Sequence, residues 1–149
     1  MIQIKKVEDG KELEVHYAIR KTVFQLEQGV SEKEEFDKYD KARQCRYYLA
    51  LWNSEPVGAA RWRQSKAGHK LERICVLPAF RGKGIGKALV EKLLEDMPKN
   101  LQIYLGSQDD AVSFYEQLGF RVKGDAYWEA NILHRFMKYK PEETLKKKG

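Results

Sequence analysis

Cysteine, histidine and proline are scarce in this chain of 149 residues, which holds two, three and four of them respectively. Cys45 and Cys75 cannot build a disulfide framework, and with His16, His69 and His134 dispersed they lack the close spacing of a zinc site. No metal is expected. No apolar run approaches the roughly 20 residues that cross a bilayer; the stretch Tyr47 to Trp52 has only the length of a strand. The opening Met1-Ile2-Gln3-Ile4-Lys5-Lys6 has no apolar h-region or cleavage site, so a cytoplasmic address without membrane contact is expected.

What is present is the composition of a folded chain, with 42% hydrophobic and 11% aromatic residues beside 34% charged ones. The length suits one domain, read as residues 1–140, followed by a basic, frayed tail over 141–149. The net charge of +6 is unevenly placed. Arg61, Arg63, Lys66, Lys70, Arg73, Arg81, Lys83 and Lys87 face a single acid, Glu72, so residues 61–87 carry +7. Residues 27–40 carry −4, from Glu27, Glu32, Glu34, Glu35, Asp37 and Asp40 against Lys33 and Lys38. A basic chain invites a nucleic-acid reading, but no helix-turn-helix or RNA-binding signature accompanies the charge, and no nucleic-acid partner is expected.

Ile2 to Val7 alternates like a half-buried strand, and Asp9-Gly10-Lys11-Glu12 opens a helix expected to run to about Glu27. Val15, Ile19, Val23 and Leu26 form its apolar spacing. The acid-rich stretch that follows has too few apolar residues for more than a loop or a short irregular helix. Arg46 to Trp52, Val57 to Arg63 and Lys70 to Leu77 are three strands of an antiparallel meander, separated by turn-like Asn53-Ser54-Glu55-Pro56 and Ser65-Lys66-Ala67-Gly68. A helix follows in which Ile85, Leu89, Leu93 and Met97 recur every fourth residue before Pro98. A strand at Leu101 to Leu105, a helix from Asp109 to Leu118, a return to extended structure from Phe120 onward and a last strand near Leu133 to Tyr139 complete the order. The fold class is mixed α/β (α+β), with flanking helices and a crossover from the third meander strand to the strand at Leu101.

The densest chemical signal is Arg81-Gly82-Lys83-Gly84-Ile85-Gly86-Lys87, between a strand and a helix. Alternating glycines let backbone amides approach a ligand, and the helix start adds unpaired N–H groups and the positive end of its dipole. A phosphate group suits such a turn. A P-loop would need glycine where Arg81 stands and a hydroxyl residue where Ala88 stands, and a dinucleotide fingerprint would need glycine at Lys87. Both are rejected.

Arg81-x-x-Gly84-x-Gly86, the preceding Leu71-Glu72-Arg73-Ile74-Cys75-Val76 and the later Phe114-Tyr115-Glu116-Gln117-Leu118-Gly119-Phe120 together resemble the GNAT family of N-acetyltransferases. The likeness covers nearly the whole chain in element order. Val23-Phe24-Gln25-Leu26-Glu27-Gln28-Gly29-Val30 resembles a group of small bacterial acyltransferases within it. That group has His-Ala-Gln after the fifth strand and Ile-Pro-His near the end, where this chain has Gly106-Ser107-Gln108 and Ile132-Leu133-His134.

The resemblance implies acetyl-CoA as cosubstrate and transfer of its acetyl group, by direct attack in a ternary complex, to a primary amine of a small molecule, a peptide lysine or an N-terminus. Amides from Arg81 through Gly82, Lys83, Gly84, Ile85 and Gly86 to Lys87 would hold the diphosphate. Ile74, Cys75 and Val76 would offer strand-edge groups to the pantetheine arm, admitted by a splay between the strands at Ile74 and Ile103, and the Val76 N–H would polarise the thioester carbonyl. Gln108, Phe114 and Tyr115 belong to the cofactor side by the same likeness, and Phe24, Glu27, Gln28 and His134 to the acceptor side. Homodimers occur in the family, so a second copy is an admissible partner.

Acetyl transfer has two proton problems, since an amine with pKa near 10 must lose a proton and the CoA thiolate must gain one. Tyr115 is the candidate acid, or else a core aromatic on an apolar helix face. Glu72 is the candidate base, or else an ion-pair partner of Arg61, Arg63 or Arg73. Cys75 reads as a small core residue, because direct transfer needs no nucleophile. The −4 segment favours a cationic acceptor such as a polyamine, an amino sugar or a lysine-like amine, unless its charge is merely solvated. A noncatalytic acyl-CoA-binding regulatory module is the alternative function.

Overall fold

The structure, a computed structural model, describes residues 1–142. Two compact units are present among the described residues: residues 1–63 with 71–97, and residues 64–70 with 98–142. In the first, strands β1 (Ile2–Lys6), β2 (Arg46–Trp52), β3 (Glu55–Ser65) and β4 (Gly68–Val76) follow one another across the sheet. β1, β2 and β3 pair antiparallel, with Ile4 opposite Ala50 and Leu49 opposite Ala59. Asn53 and Ser54 turn β2 into β3 with φ of 48° and 71°, the left-handed pair of a tight two-residue hairpin loop. The expected meander is there, with β3 and β4 each beginning two residues earlier than the apolar pattern suggests.

The central strands of this unit are buried on both faces. Leu49, Ala59 and Cys75 pack with Ile19 and Val23, while a Cβ added at Gly58 would lie 3.1 Å from the Ala50 Cβ and 3.3 Å from Leu89. Successive residues point to opposite faces, so a strand covered on both sides needs an unbroken apolar run, as in Tyr48-Leu49-Ala50. Helix α4 (Ile85–Asp96) supplies one cover through Ile85, Leu89, Val90, Leu93 and Leu94. Each such side chain contributes about 1.5–3 kcal/mol when fully buried.

Helix α1 (Gly10–Arg20) supplies the other cover. Asp9 caps it by accepting the Glu12 N–H at 2.8 Å, and the Glu12 carboxylate accepts the Glu8 N–H at 2.8 Å. The single helix expected as far as Glu27 is not what forms, because residues Lys21–Glu27 wind as a π-helix in which the Gln28 N–H reaches the Val23 carbonyl. A wider turn rotates the residues after it. Leu26, in line with Ile19 and Val23 by α-helical spacing, is 71% exposed. The acid-rich stretch forms two single turns, α2 (Glu32–Glu35) and α3 (Lys38–Lys41), the second closed by a capping box between Asp37 and Asp40.

In the second unit the first residues of β4 are followed across the sheet by β5 (Ile103–Gln108), β8 (Ile132–Tyr139) and β6 (Phe120–Val122), with β7 (Tyr127–Glu129) also paired to β8. The strand expected at Leu101 to Leu105 therefore lies about two residues later. β7 falls within the extended structure expected from Phe120 but is not marked there as a separate strand: it is three residues long, and its turn uses Ala130 and Asn131 at φ of 50° and 61° without a glycine. The helix expected from Asp109 starts as a 3-10 turn and becomes α5 at Val112–Gln117. Lys140 is anchored by its N–H to the Gly119 carbonyl, and residues 143–149 of the expected frayed tail lie outside the described residues. Sheet and helix alternate as the mixed α/β class requires. Among the described residues no helix is long and apolar enough to cross a membrane.

Candidate active site

β4 leads into the glycine loop, and its own path is irregular. Arg73 has φ of 56° in mid-strand, a left-handed conformation that costs a non-glycine residue energy and breaks the pleat. Leu71 and Glu72, just before it, are both buried. After Ile74, Cys75 and Val76 the chain makes a 3-10 turn at Pro78–Phe80 and reaches Gly82 and Gly84, whose φ values of 81° and 83° favour glycine. Gly84 is the N-cap of α4, and no side chain caps that helix start. Its first-turn N–H groups thus have no partner within the helix. Ile85 is buried and anchors the turn, while Arg81, Gly82, Lys83, Gly84 and Lys87 are exposed. Lys83 stands over the Trp52 ring at 5.1 Å. A Cβ added at Gly82 or Gly84 would meet nothing within 4 Å, so the crest is open on the side from which an anion would come.

Three of the expected site residues meet at this loop. Arg81 donates from Nη1 and Nη2 to the two oxygens of Glu27, both at 2.7 Å, and from Nε to the Val76 carbonyl at 3.0 Å. Hydrogen bonds from Arg81 hold the Glu27 carboxyl below its usual range and raise the guanidinium in turn. Phe24 is half-buried against the cluster of Ile19, Val23, Leu49, Ala59 and Cys75, and Gln28 closes the π-helical segment. Cys75 lies in that cluster, and burial pushes its thiol up to about 12. It remains a protonated core side chain.

Glu72 stands among guanidinium groups. Its Oε1 accepts from Arg61 Nε at 3.1 Å and from Arg63 Nε at 2.8 Å, so the ion pair is what the structure shows. Any proton it took from an amine would have to arrive among these donors. The pair belongs to a larger buried network. Arg20, fully buried, donates to Glu35 at 2.6 Å and to both oxygens of Asp40, while Arg61 reaches Asp37 at 2.6 Å and Asp40 at 2.7 Å. Arg73 donates to the Glu35 carbonyl and to Asp37. Burial alone would raise the Asp40 carboxyl, yet the Arg20 and Arg61 guanidiniums and the Tyr47 hydroxyl hold it well below the usual carboxylate range. His16, whose Nδ1 lies 3.0 Å from the Tyr48 carbonyl, is pushed down to about 3 by burial and by the Arg20 charge, and is therefore neutral. The −4 segment is thus not a surface waiting for a cation: Glu35, Asp37 and Asp40 are internal partners of arginines. Sequence reasoning had no signal for Arg20 and His16, which lie on a helix face read as apolar.

In the second unit Tyr115 is buried on α5, edge-on to Phe114 at 4.9 Å and to Phe120 at 6.0 Å, with Phe114 partly exposed. Gln108 and His134 are register partners across β5 and β8. His134 Nδ1 lies 2.7 Å from the Ile132 carbonyl, which makes that nitrogen the protonated one and leaves Nε2 on the side of Glu129, 4.0 Å away. Tyr127 stacks on His134 at 5.7 Å and lays its hydroxyl over Gly106, in the space a side chain at 106 would need. The missing side chain at Gly106 is the only hint of Tyr127 in the sequence. Among the described residues no group of three or more His, Cys, Asp or Glu could hold a metal.

Residues 9–141 match the family described as the acetyltransferase (GNAT) domain. The chain is 38% identical over 139 residues to the uncharacterized protein YyaT of Bacillus subtilis, covering 91% of this chain and 94% of the relative. It is 34% identical over 129 residues to the uncharacterized N-acetyltransferase YjcF of the same organism, covering 83% and 89%. The crystal structure of Escherichia coli ElaA superposes with a TM-score of 0.81 at 27% identity, covering 94% of this chain and all of that one. The family match spans both the glycine loop and the Tyr115 helix, and the chain belongs to the GNAT family of acetyltransferases.

Proposed function

We propose that this acetyl-CoA-dependent acetyltransferase acts on the primary amine of a small molecule by direct attack, with the glycine loop as the diphosphate site. The observation that carries the reading is the start of α4: a left-handed glycine cap, no capping side chain and an open crest flanked by Lys83 and Lys87. Amides of residues 82–87 would hold the diphosphate, and Lys83 and Lys87 would add charge. Ile74, Cys75 and Val76 would offer backbone groups to the pantetheine arm. When bound, acetyl-CoA supplies an activated thioester. The amine nitrogen would bond to the thioester carbonyl carbon as the C–S bond breaks, Tyr115 would give its phenolic proton to the departing sulfur, and the proton shed by the amine would return to the Tyr115 oxygen through solvent. Phe24, Glu27 and Gln28, at the end of the π-helical segment, are the acceptor-side candidates of the first unit; in the second unit His134 is an acceptor-side candidate, and Gln108 and Phe114 are cofactor-side candidates. Glu72 serves to fix Arg61 and Arg63, a positioning role that its two guanidinium partners favour over proton abstraction.

Titration of the purified chain with acetyl-CoA, followed by thiol-release assays against pooled small amines, tests this. Saturable binding with CoA release on one pool is expected. Absence of binding would remove the loop from the mechanism, and release only with peptides would replace the small-molecule acceptor.

A further inference from the structure

Arg81 lies within the loop that would hold the diphosphate, yet its donors are committed elsewhere. Both terminal nitrogens grip Glu27 at 2.7 Å, and Nε holds the Val76 carbonyl at 3.0 Å. The grip is bidentate, the strongest form of guanidinium–carboxylate contact. It is also at the surface: the Arg81 and Glu27 side chains are 42% and 38% exposed, whereas the Arg20–Asp40 pair is fully buried. A buried pair cannot be parted without stranding a charge, but an exposed one exchanges its partner at little cost, because water solvates whichever group is released. Glu27 is moreover the one acid of residues 27–40 seen paired with the loop, since Glu35, Asp37 and Asp40 pair with Arg20, Arg61 and Arg73.

We infer that the Arg81–Glu27 pair is an exchangeable latch. Arg81 leaves the Glu27 carboxylate for the diphosphate of the cosubstrate, and Glu27 acts as the internal anion that the diphosphate must displace. The two anions compete for one planar fork of donors, and a diphosphate offers it more oxygens and more charge than one carboxylate does. The same movement frees the Val76 carbonyl at the end of β4. Glu27 is therefore a residue that tunes cosubstrate affinity, and this role rests on the loop being the diphosphate site as proposed above.

The test is calorimetric titration of acetyl-CoA into the full chain as wild type, Glu27→Gln, Arg81→Gln and the double variant, with acetyl-pantetheine, which lacks the diphosphate, as a second probe. An exposed ion pair is worth about 0.2–1 kcal/mol, so Glu27→Gln is expected to tighten acetyl-CoA binding by about 1.4- to fivefold. Arg81→Gln should weaken binding, and adding Glu27→Gln to it should change nothing further, because the latch needs both partners. Acetyl-pantetheine affinity should be the same in wild type and Glu27→Gln. If wild type binds acetyl-CoA and Glu27→Gln binds it equally or more weakly, the pair is a structural brace and the exchange is overturned. A gain from Glu27→Gln that persists without Arg81 also overturns it, since that reports plain charge repulsion. If wild type does not bind acetyl-CoA, the functional reading fails and takes the latch with it.

Discussion

Replacing Asp40 by asparagine should destabilise the protein more than an ordinary polar substitution does. The Asp40 carboxylate, with no exposed side-chain surface, accepts from Arg20 Nη1 at 3.0 Å, Arg20 Nη2 at 2.7 Å and the Tyr47 hydroxyl at 2.9 Å, and sits 2.7 Å from Arg61 Nη1. Asparagine keeps one acceptor oxygen and turns the other into an NH2 donor facing guanidinium donors. It also leaves Arg20 and Arg61, both fully buried, short of one negative charge. Removing one member of a buried ion pair costs about 3–5 kcal/mol, a large part of a total stability of about 5–15 kcal/mol. At this chain length that corresponds to a fall in Tm of about 6–20 °C. Urea denaturation at pH 7 should show a lower midpoint with an unchanged slope. Because the folded-state pKa of Asp40 is depressed, its stabilisation is complete above the unfolded value near 4 and fades as pH falls toward the folded one. The acid-induced loss of stability below pH 4 should therefore be shallower in the variant. A cost under about 1 kcal/mol at pH 7 would refute the claim that the network is a coupled, desolvated unit.

Three further outcomes follow from the same geometry. His16 titrates near 3 in the folded chain, so its contribution is complete above its unfolded value of about 6.5 and is lost as pH falls from there toward 3; by pH 5 that loss is about 2 kcal/mol, and His16→Gln should flatten the decline in Tm between pH 6.5 and 5. Gly84→Glu places a side chain at φ of 83° and a carboxylate at the mouth of the loop; the space is open, so the variant should fold with a strain cost of about 1–2 kcal/mol while losing acetyl-CoA binding by calorimetry, and unchanged affinity would count against the loop. Tyr115→Phe preserves the ring contacts with Phe114 and Phe120; kcat should fall by about 10²-fold or more, and a normal kcat would return Tyr115 to the role of a core aromatic.

The loop was readable because everything that defines it is contiguous. Glycines at 82 and 84, cations at 81, 83 and 87 and the apolar spacing of α4 lie within 16 residues of chain, and short-range rules connect each to a conformation. The meander was readable for the same reason. The π-helical segment was not, since Lys21–Glu27 has ordinary helix formers and nothing local marks where an extra residue enters the turn. β7 was missed because its Ala130-Asn131 turn has none of the usual glycine, so the hairpin depends on pairing with β8 rather than on turn chemistry.

The charge pattern was visible in the sequence but its meaning was not. Two segments of opposite sign read as two surfaces, one for an anion and one for a cation. Folding instead sets them against each other: Glu27, Glu35, Asp37 and Asp40 take Arg81, Arg20, Arg61 and Arg73 as partners at separations of up to 54 residues, and Glu72 takes Arg61 and Arg63. Such pairings depend on which strand lies beside which helix, and no local pattern encodes that. The consequence for function is specific. With Arg20, Arg61, Arg63 and Arg73 paired to carboxylates, the charge left for a diphosphate at the proposed site would come from Lys83, Lys87, the start of α4 and an Arg81 released from Glu27, and the bulk charge of residues 27–40 ceases to argue for any particular amine. On the proposed function, acceptor choice would rest on the groups at the end of the π-helical segment, Phe24 and Gln28, and on the carboxylate there, Glu27, which Arg81 holds in this structure.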